Sequence, residues 1–271
     1  LMLQRTGTLS GRDMTEQVSE RRGRKTIEWV FRNPQPARNK RRNYSVYDVD
    51  AMPGVAYSTF GSHGEIAAVY GARANPRAAV TDRIRKLADE IVQDRTEPRA
   101  QARALYEWVA KNISYAGNCI GVGAVVPHDL AFILDNRMGD CKDHATLLQA
   151  LLAAKGIGST QALVNAGSLY RLPKIAVASN VNHVINYLPG LDLYVDATSD
   201  STPFGMLPFE VAGKPVLLVD GSRADARTPV QPLGTNRQHM KTVLKIAPNG
   251  SATGNVEVEL GGHFAVDTRA R

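Results

Sequence analysis

The alternation of apolar and polar positions changes period along the chain. Over residues 1–60 it runs in twos. Thr26–Phe31 sets Ile27, Trp29 and Phe31 on one face, Tyr44–Val49 repeats the pattern, and Asn33-Pro34-Gln35-Pro36 predicts a turn between them. From residue 75 the period becomes helical. Asn75-Pro76 reads as an N-cap with proline at the first helical position, ahead of Val80, Ile84, Leu87, Ala88 and Ile91. Glu97-Pro98 opens a second helix that buries Leu105, Trp108, Val109 and Ile113. Gly117–Gly123 and Pro127-His128 read as loop, since the glycines spell neither GxxxxGKS/T nor a strand–GxGxxG–helix unit. A third helix begins at Gly139-Asp140-Cys141-Lys142-Asp143, carries Leu147, Leu148, Leu151 and Leu152, and stops at Gly156. Short strands follow over Gln161–Val164, His183–Leu188, Leu193–Asp196 and Val216–Val219. Thr242–Ile246 and Asn255–Leu260 alternate again about Pro248-Asn249-Gly250, as the first hairpin of a further β domain would.

With 43% hydrophobic and 22% charged residues, 271 in all, the composition excludes wholesale disorder and fibrous repeats. No stretch approaches the roughly 18 apolar residues of a membrane helix; Ala145–Ala154 is short and interrupted by Gln149. Leu1–Gly11 lacks the apolar segment of a signal peptide, although the start looks cut and a leader is compatible with it. The net charge of +7 is confined to one end: residues 1–45 hold eleven Arg and Lys against four acids, and beyond them 22 basic residues meet 22 acidic ones. Trp29, Phe31, Tyr44 and Tyr47 scatter through that basic end as in strands, not as RNA-stacking motifs, so no nucleic-acid partner is expected. Two cysteines, Cys119 and Cys141, make no disulfide framework.

Cys141 is the residue that attracts attention. With Asp140 as N-cap and Asp143 in the first turn, it occupies the first helical position, where free N–H groups and the positive helix end stabilise a thiolate. The two aspartates oppose that effect, so a nucleophilic thiol here also needs an imidazole. If Pro189-Gly190 centres a hairpin, His183 and Asp196 stand directly opposite on adjacent strands, roughly 5 Å apart at Cβ. The Asp can then bind one ring nitrogen and leave the other for the thiol. A different reading takes Cys119, His128, Cys141 and His144 as zinc ligands within 26 positions, but Cys119-x8-His128 fits no usual zinc spacing and no metal is expected. His144 shares a helix face with Cys141. His63, His239 and His263 belong to no constellation and read as surface residues.

Gly139-Asp140-Cys141-Lys142-Asp143 with Ala145-Thr146-Leu147-Leu148 and Gly156-Ile157 resembles the transglutaminase-like superfamily, a branch of the papain-like cysteine enzymes. So do Asn182-His183-Val184 and Tyr194-Val195-Asp196-Ala197-Thr198. Ile113-Ser114-Tyr115, Gly121-Val122-Gly123 and Pro127-His128 look like bacterial members that follow a β-sandwich of the DUF3857 type. The resemblance covers about residues 45–235. It implies an α+β fold, with helices packed on an antiparallel sheet and flanked by β-rich segments. The expected domains are the end of a β-sandwich over 1–72, a catalytic core over 73–235, and the start of a truncated β domain over 236–271. It further implies Cys141 as nucleophile, His183 as general base and acid, and Asp196 as orienter, with Tyr115 and His128 near the site. No cofactor is implied. The expected function is attack on a peptide or glutamine carboxamide to give a thioester, most simply resolved by water, alternatively by an amine. A catalytically silent module that binds partners in the cell envelope is the other reading. A periplasmic or envelope location follows from the resemblance alone, and oligomeric state is not legible.

Overall fold

A computed structural model of the chain describes residues 2–6, 14–31, 46, 48, 50, 54–117, 121–232 and 234–269. The turn expected at residues 33–36, most of the strand expected over 44–49, and Cys119 lie outside them. The chain opens with β1 (Met2–Thr6), β2 (Met14–Arg21), β3 (Arg24–Phe31) and β4 (Gly54–Ser58). Strands β2 and β3 form a hairpin, while β1 pairs antiparallel with β4. Next comes α1 (His63–Ala74), which the period-two reading of this region missed. Its start is nonetheless written in Ser62-x-x-Glu65: Ser62 Oγ accepts the Glu65 N–H at 3.1 Å, and the Glu65 carboxylate accepts the Gly61 N–H at 2.6 Å.

The helix expected from Pro76 begins later. Asn75–Ala78 is a 3-10 turn that prolongs α1, with Pro76 inside it. Extended Thr81 then caps α2 (Asp82–Val92) by accepting the Ile84 N–H at 3.3 Å. Proline fits the opening of either kind of turn, so its presence alone did not fix the helix start. The expected second helix is α3 (Pro98–Asn112), followed by β5 (Ser114–Tyr115), the short α4 (Leu130–Asn136), β6 (Met138–Gly139) and α5 (Cys141–Ala154). Helix α5 ends where Gly156 takes φ +70°, a conformation that suits glycine.

Strands β7 (Thr160–Val164), β8 (His183–Leu188), β9 (Leu193–Val195) and β10 (Val216–Leu218) form one antiparallel sheet in the order β10-β7-β8-β9. Fully buried Leu147, Leu148, Leu151 and Leu152 of α5 pack with Leu105 and Val109 of α3 and with Leu188 and Val195 of the sheet. Ala162, Val164, Ile185 and Tyr187 carry a second cluster with Leu207 and Val211, as alternation along buried strands requires. Helix α1 joins a third cluster through Ile66 and Ala67, against Leu163, Val184 and Leu217. The chain closes with β11 (Arg237–Ile246), β12 (Ala252–Gly261) and α6 (His263–Arg269). His263, read as a surface residue, is buried: its Nε2 lies 2.6 Å from the Leu207 carbonyl and its backbone N–H bonds Asn236.

Candidate active site

The start of α5 is built so tightly that only glycine fits before it. A Cβ on Gly139 would lie 2.5 Å from the Asp143 Cβ. Asp140 caps the helix by accepting the Lys142 N–H at 3.2 Å, and Asp143 returns the favour by accepting the Asp140 N–H at 3.1 Å. This reciprocal capping box places Cys141 at the first helical position, half-buried. The two aspartates that oppose a thiolate on paper both have partners. Buried Lys142 forms an ion pair with Asp140. The Asp143 carboxylate binds the His128 backbone N–H at 2.8 Å and its Nδ1 at 2.9 Å.

His183 opens β8, and its Nε2 lies 2.8 Å from Asp196 Oδ2. The other oxygen of that carboxylate accepts the Thr198 N–H at 3.1 Å and the Thr198 hydroxyl at 2.6 Å. The Tyr106 hydroxyl stands 2.9 Å from both the Asp196 and Thr202 carbonyls, which ties this segment to α3. With Nε2 engaged by Asp196, Nδ1 is the nitrogen left for the Cys141 thiol, which lines the same cleft. Burial of the ring opposes its charge. Asp196 and the Cys141 sulfur outweigh burial and hold the His183 pKa up at about 10. For Asp196, burial pushes upward, but the His183 charge and the Thr198 hydrogen bonds leave it below its usual value.

The hairpin register differs from the expected one while keeping its consequence. Tyr187 stands opposite Tyr194 and Leu188 opposite Leu193, so the loop covers residues 189–192 and its centre is one residue later. His183 and Asp196 are therefore offset diagonally by two residues, beyond the last ladder pair at Asn186 and Val195. An even shift preserves parity, and a long imidazole spans the diagonal.

The remaining nominated residues have other surroundings. Tyr115 is exposed, with its ring 5.9 Å from that of His144. His128 stacks on Phe132 at 4.5 Å and reaches α5 through Asp143. His144 is buried between the Asp140 carbonyl at 2.8 Å and the Ile113 carbonyl at 3.0 Å. Among the described residues no three His, Cys, Asp or Glu side chains are grouped to hold a metal.

A cleft of about 350 Å³ opens at Cys141 and His183. One of its walls, α1, contributes Tyr70, which the sequence reading passed over. The Tyr70 hydroxyl donates to Gln161 Oε1 at 2.6 Å, and Gln161 Nε2 donates to Thr146 and Gln149 on α5. Burial first, then the negative charges of Cys141, Asp140 and Asp143, raise the Tyr70 pKa well above its ordinary value, so the phenol stays protonated beside the thiol. Gln161 is fully buried in a strand whose other members are buried too, so its amide must find partners inside the fold.

Residues 85–170 match the transglutaminase-like superfamily. The matched stretch includes Cys141 and stops before His183 and Asp196. In fold the chain is similar to a candidate protease of Parabacteroides distasonis, with a TM-score of 0.60 at 17% identity over 83% of this chain. That likeness bears out the α+β architecture. The chain spans 42% of the length of that protein. A candidate cysteine protease of Cytophaga hutchinsonii is 18% identical over 69% of this chain and 54% of its own, with a TM-score of 0.36. No curated protein matches the chain in sequence.

Proposed function

We propose that this chain is a cysteine enzyme acting on amide bonds, most simply a peptidase or amidase. The supporting observation is His183, bound to Asp196 at 2.8 Å and lining one cleft with the thiol that starts α5. In this reading the Cys141 proton resides on His183, as an imidazole with an elevated pKa favours. The Cys141 sulfur attacks the amide carbon. The Cys141 N–H, at a helix start where backbone donors have no intrahelical acceptor, faces the developing oxyanion. Collapse breaks the C–N bond, the amine leaves with the proton from His183, and a thioester remains. Water, deprotonated by His183, then releases the acid and restores the thiol. Asp196 keeps the ring oriented throughout. An amine in place of water would give acyl transfer through the same intermediate.

A partner-binding module without catalysis is the second reading, favoured by the uncovered apolar face of the β11–β12 hairpin, where Ile246 is 72% exposed. The deciding experiment is iodoacetamide alkylation across pH, read by mass spectrometry, with Cys119 as the internal standard. Cys141 is expected to react well below pH 8 and His183→Ala to remove that reactivity. Ordinary behaviour of both cysteines would leave the binding module.

A further inference from the structure

The cleft beside Cys141 has a one-sided chemistry. Phe60 and α1 residues Ile66 and Val69 form one wall, and Val181 and Val184 rise from the start of β8. Among the described residues that line it, none carries a carboxylate. Its cationic groups are His183, paired with Asp196, Lys142, whose charge is balanced by buried Asp140, and Arg73, near the end of α1. The Arg73 guanidinium donates to the Val69 carbonyl of its own helix at 2.7 Å, and among the described residues no acid partners it. An apolar trough of this kind takes up alkyl or aromatic side chains and gains nothing from charged ones. A guanidinium with donors to spare binds a carboxylate in a two-pronged fashion. A lysine-bearing ligand would meet a like charge and no acid.

We infer that the site selects peptides that place a bulky apolar side chain in this trough and a carboxylate on Arg73, so that its substrates are apolar acidic segments. This rests on the amide-bond reading above for turnover, but the recognition can be measured without it. The carboxylate could be a chain terminus or a Glu side chain, which the probes separate.

The probes are acetylated peptides of one length with Leu-Leu, Gln-Gln or Lys-Lys at the centre. Each is made with a free C-terminal carboxylate, amidated with one Glu, and amidated without any acid. The readout on the full chain is the concentration that half-protects Cys141 from iodoacetamide, with cleavage followed in parallel. Leu-Leu peptides carrying a carboxylate are expected to protect at about tenfold lower concentration than Lys-Lys peptides, on the scale of one charge-assisted hydrogen bond. Arg73→Gln should remove most of the advantage of the carboxylate and leave the acid-free Leu-Leu peptide unchanged. Val69→Lys should cancel the preference for Leu-Leu, which separates the trough from the guanidinium. Whichever carboxylated form loses more to Arg73→Gln identifies the source. The inference is overturned if Gln-Gln or Lys-Lys protects equally well, if Arg73→Gln changes nothing, or if no peptide protects. If Cys141 behaves as an ordinary thiol while acidic Leu-Leu peptides still protect it, catalysis is lost and recognition stands. Turnover without sequence preference would mean the reverse.

Discussion

The start of α5 and the β11–β12 hairpin are both regular and well hydrogen-bonded, but they are stabilised in different ways. At α5 four charged or ionisable side chains, Asp140, Lys142, Asp143 and His144, lie within five residues, and each is at most 3% exposed. Their polar atoms are engaged by a cap, an ion pair or a carbonyl. In the hairpin ten residue pairs run from Arg237 opposite Gly261 to Ile246 opposite Ala252. Met240, Leu244, Ile246, Val256 and Val258 share one face of it, and that face is open. Regular backbone hydrogen bonding arises in both, because helical periodicity with a cap in one and strand alternation with a turn in the other suffice for it. What distinguishes the site is burial, which raises the cost of leaving any polar atom unpaired and so fixes the geometry.

The sharpest way to break this comparison is at the thiol and the imidazole. Cys141→Ser or His183→Ala should lower peptide turnover on the order of 10^4-fold or more, measured as kcat/KM; Cys141→Ser should leave thermal unfolding within a few degrees, whereas His183→Ala also strands buried Asp196 and should lower it. Asp140→Ala strands buried Lys142 and removes the helix cap. It should destabilise by about 3–5 kcal/mol in a urea titration, whereas a charge change in the hairpin, such as Lys241→Ala, should not register. Leu151→Ala in the packed face of α5 should cost about 3 kcal/mol in the same titration.

Next in size is a pH dependence. The His183 pKa is raised, so the contribution of its pair to stability is complete below the ordinary value of 6.5 and is lost as pH climbs from there through about 10. The Asp196 pKa is lowered, so its contribution holds above the ordinary value of 3.8 and is lost as pH falls through the lowered one. The difference in unfolding free energy between the native chain and His183→Asn should therefore be greatest between pH 3.8 and 6.5 and shrink toward pH 10. A flat difference would contradict the pairing. Smallest of all, Leu244→Ser in the open hairpin face should change stability by less than about 0.5 kcal/mol.

Much of the site was legible because short-range rules act there. A capping aspartate, a first-turn acid and a following leucine stripe announce α5 and put Cys141 at its mouth. Parity alone places His183 and Asp196 together, and it survived the one-residue error in the centre of the hairpin. That centre was not legible, because Asp192 adopts a left-handed φ of 44°, a choice a sequence leaves open. The partners of Asp140 and Asp143 were equally hidden. Lys142 looks like a solvent-facing residue of the first turn until the surrounding elements close over it. Tyr70 lies 71 positions before Cys141, and only the tertiary fold brings α1 against α5. His263 was misjudged for the same reason: its burial depends on Leu207, far off in the chain.

The order of strands in the sheet also sets the sequence of events as the chain is made. Strand β8 needs β7 on one side and β9 on the other, and β10 is added to the far edge of β7 only when residues 216–218 have appeared. The carboxylate of Asp196 comes about 55 residues behind the thiol of Cys141, an interval of roughly 3–11 s at usual rates of protein synthesis. During that time α5 can form, but its sulfur lacks the His183–Asp196 pair and the wall of the cleft that β8 supplies. In the proposed function, the nascent polypeptide would therefore emerge with its thiol unpaired, and the site would be completed only as the sheet closes.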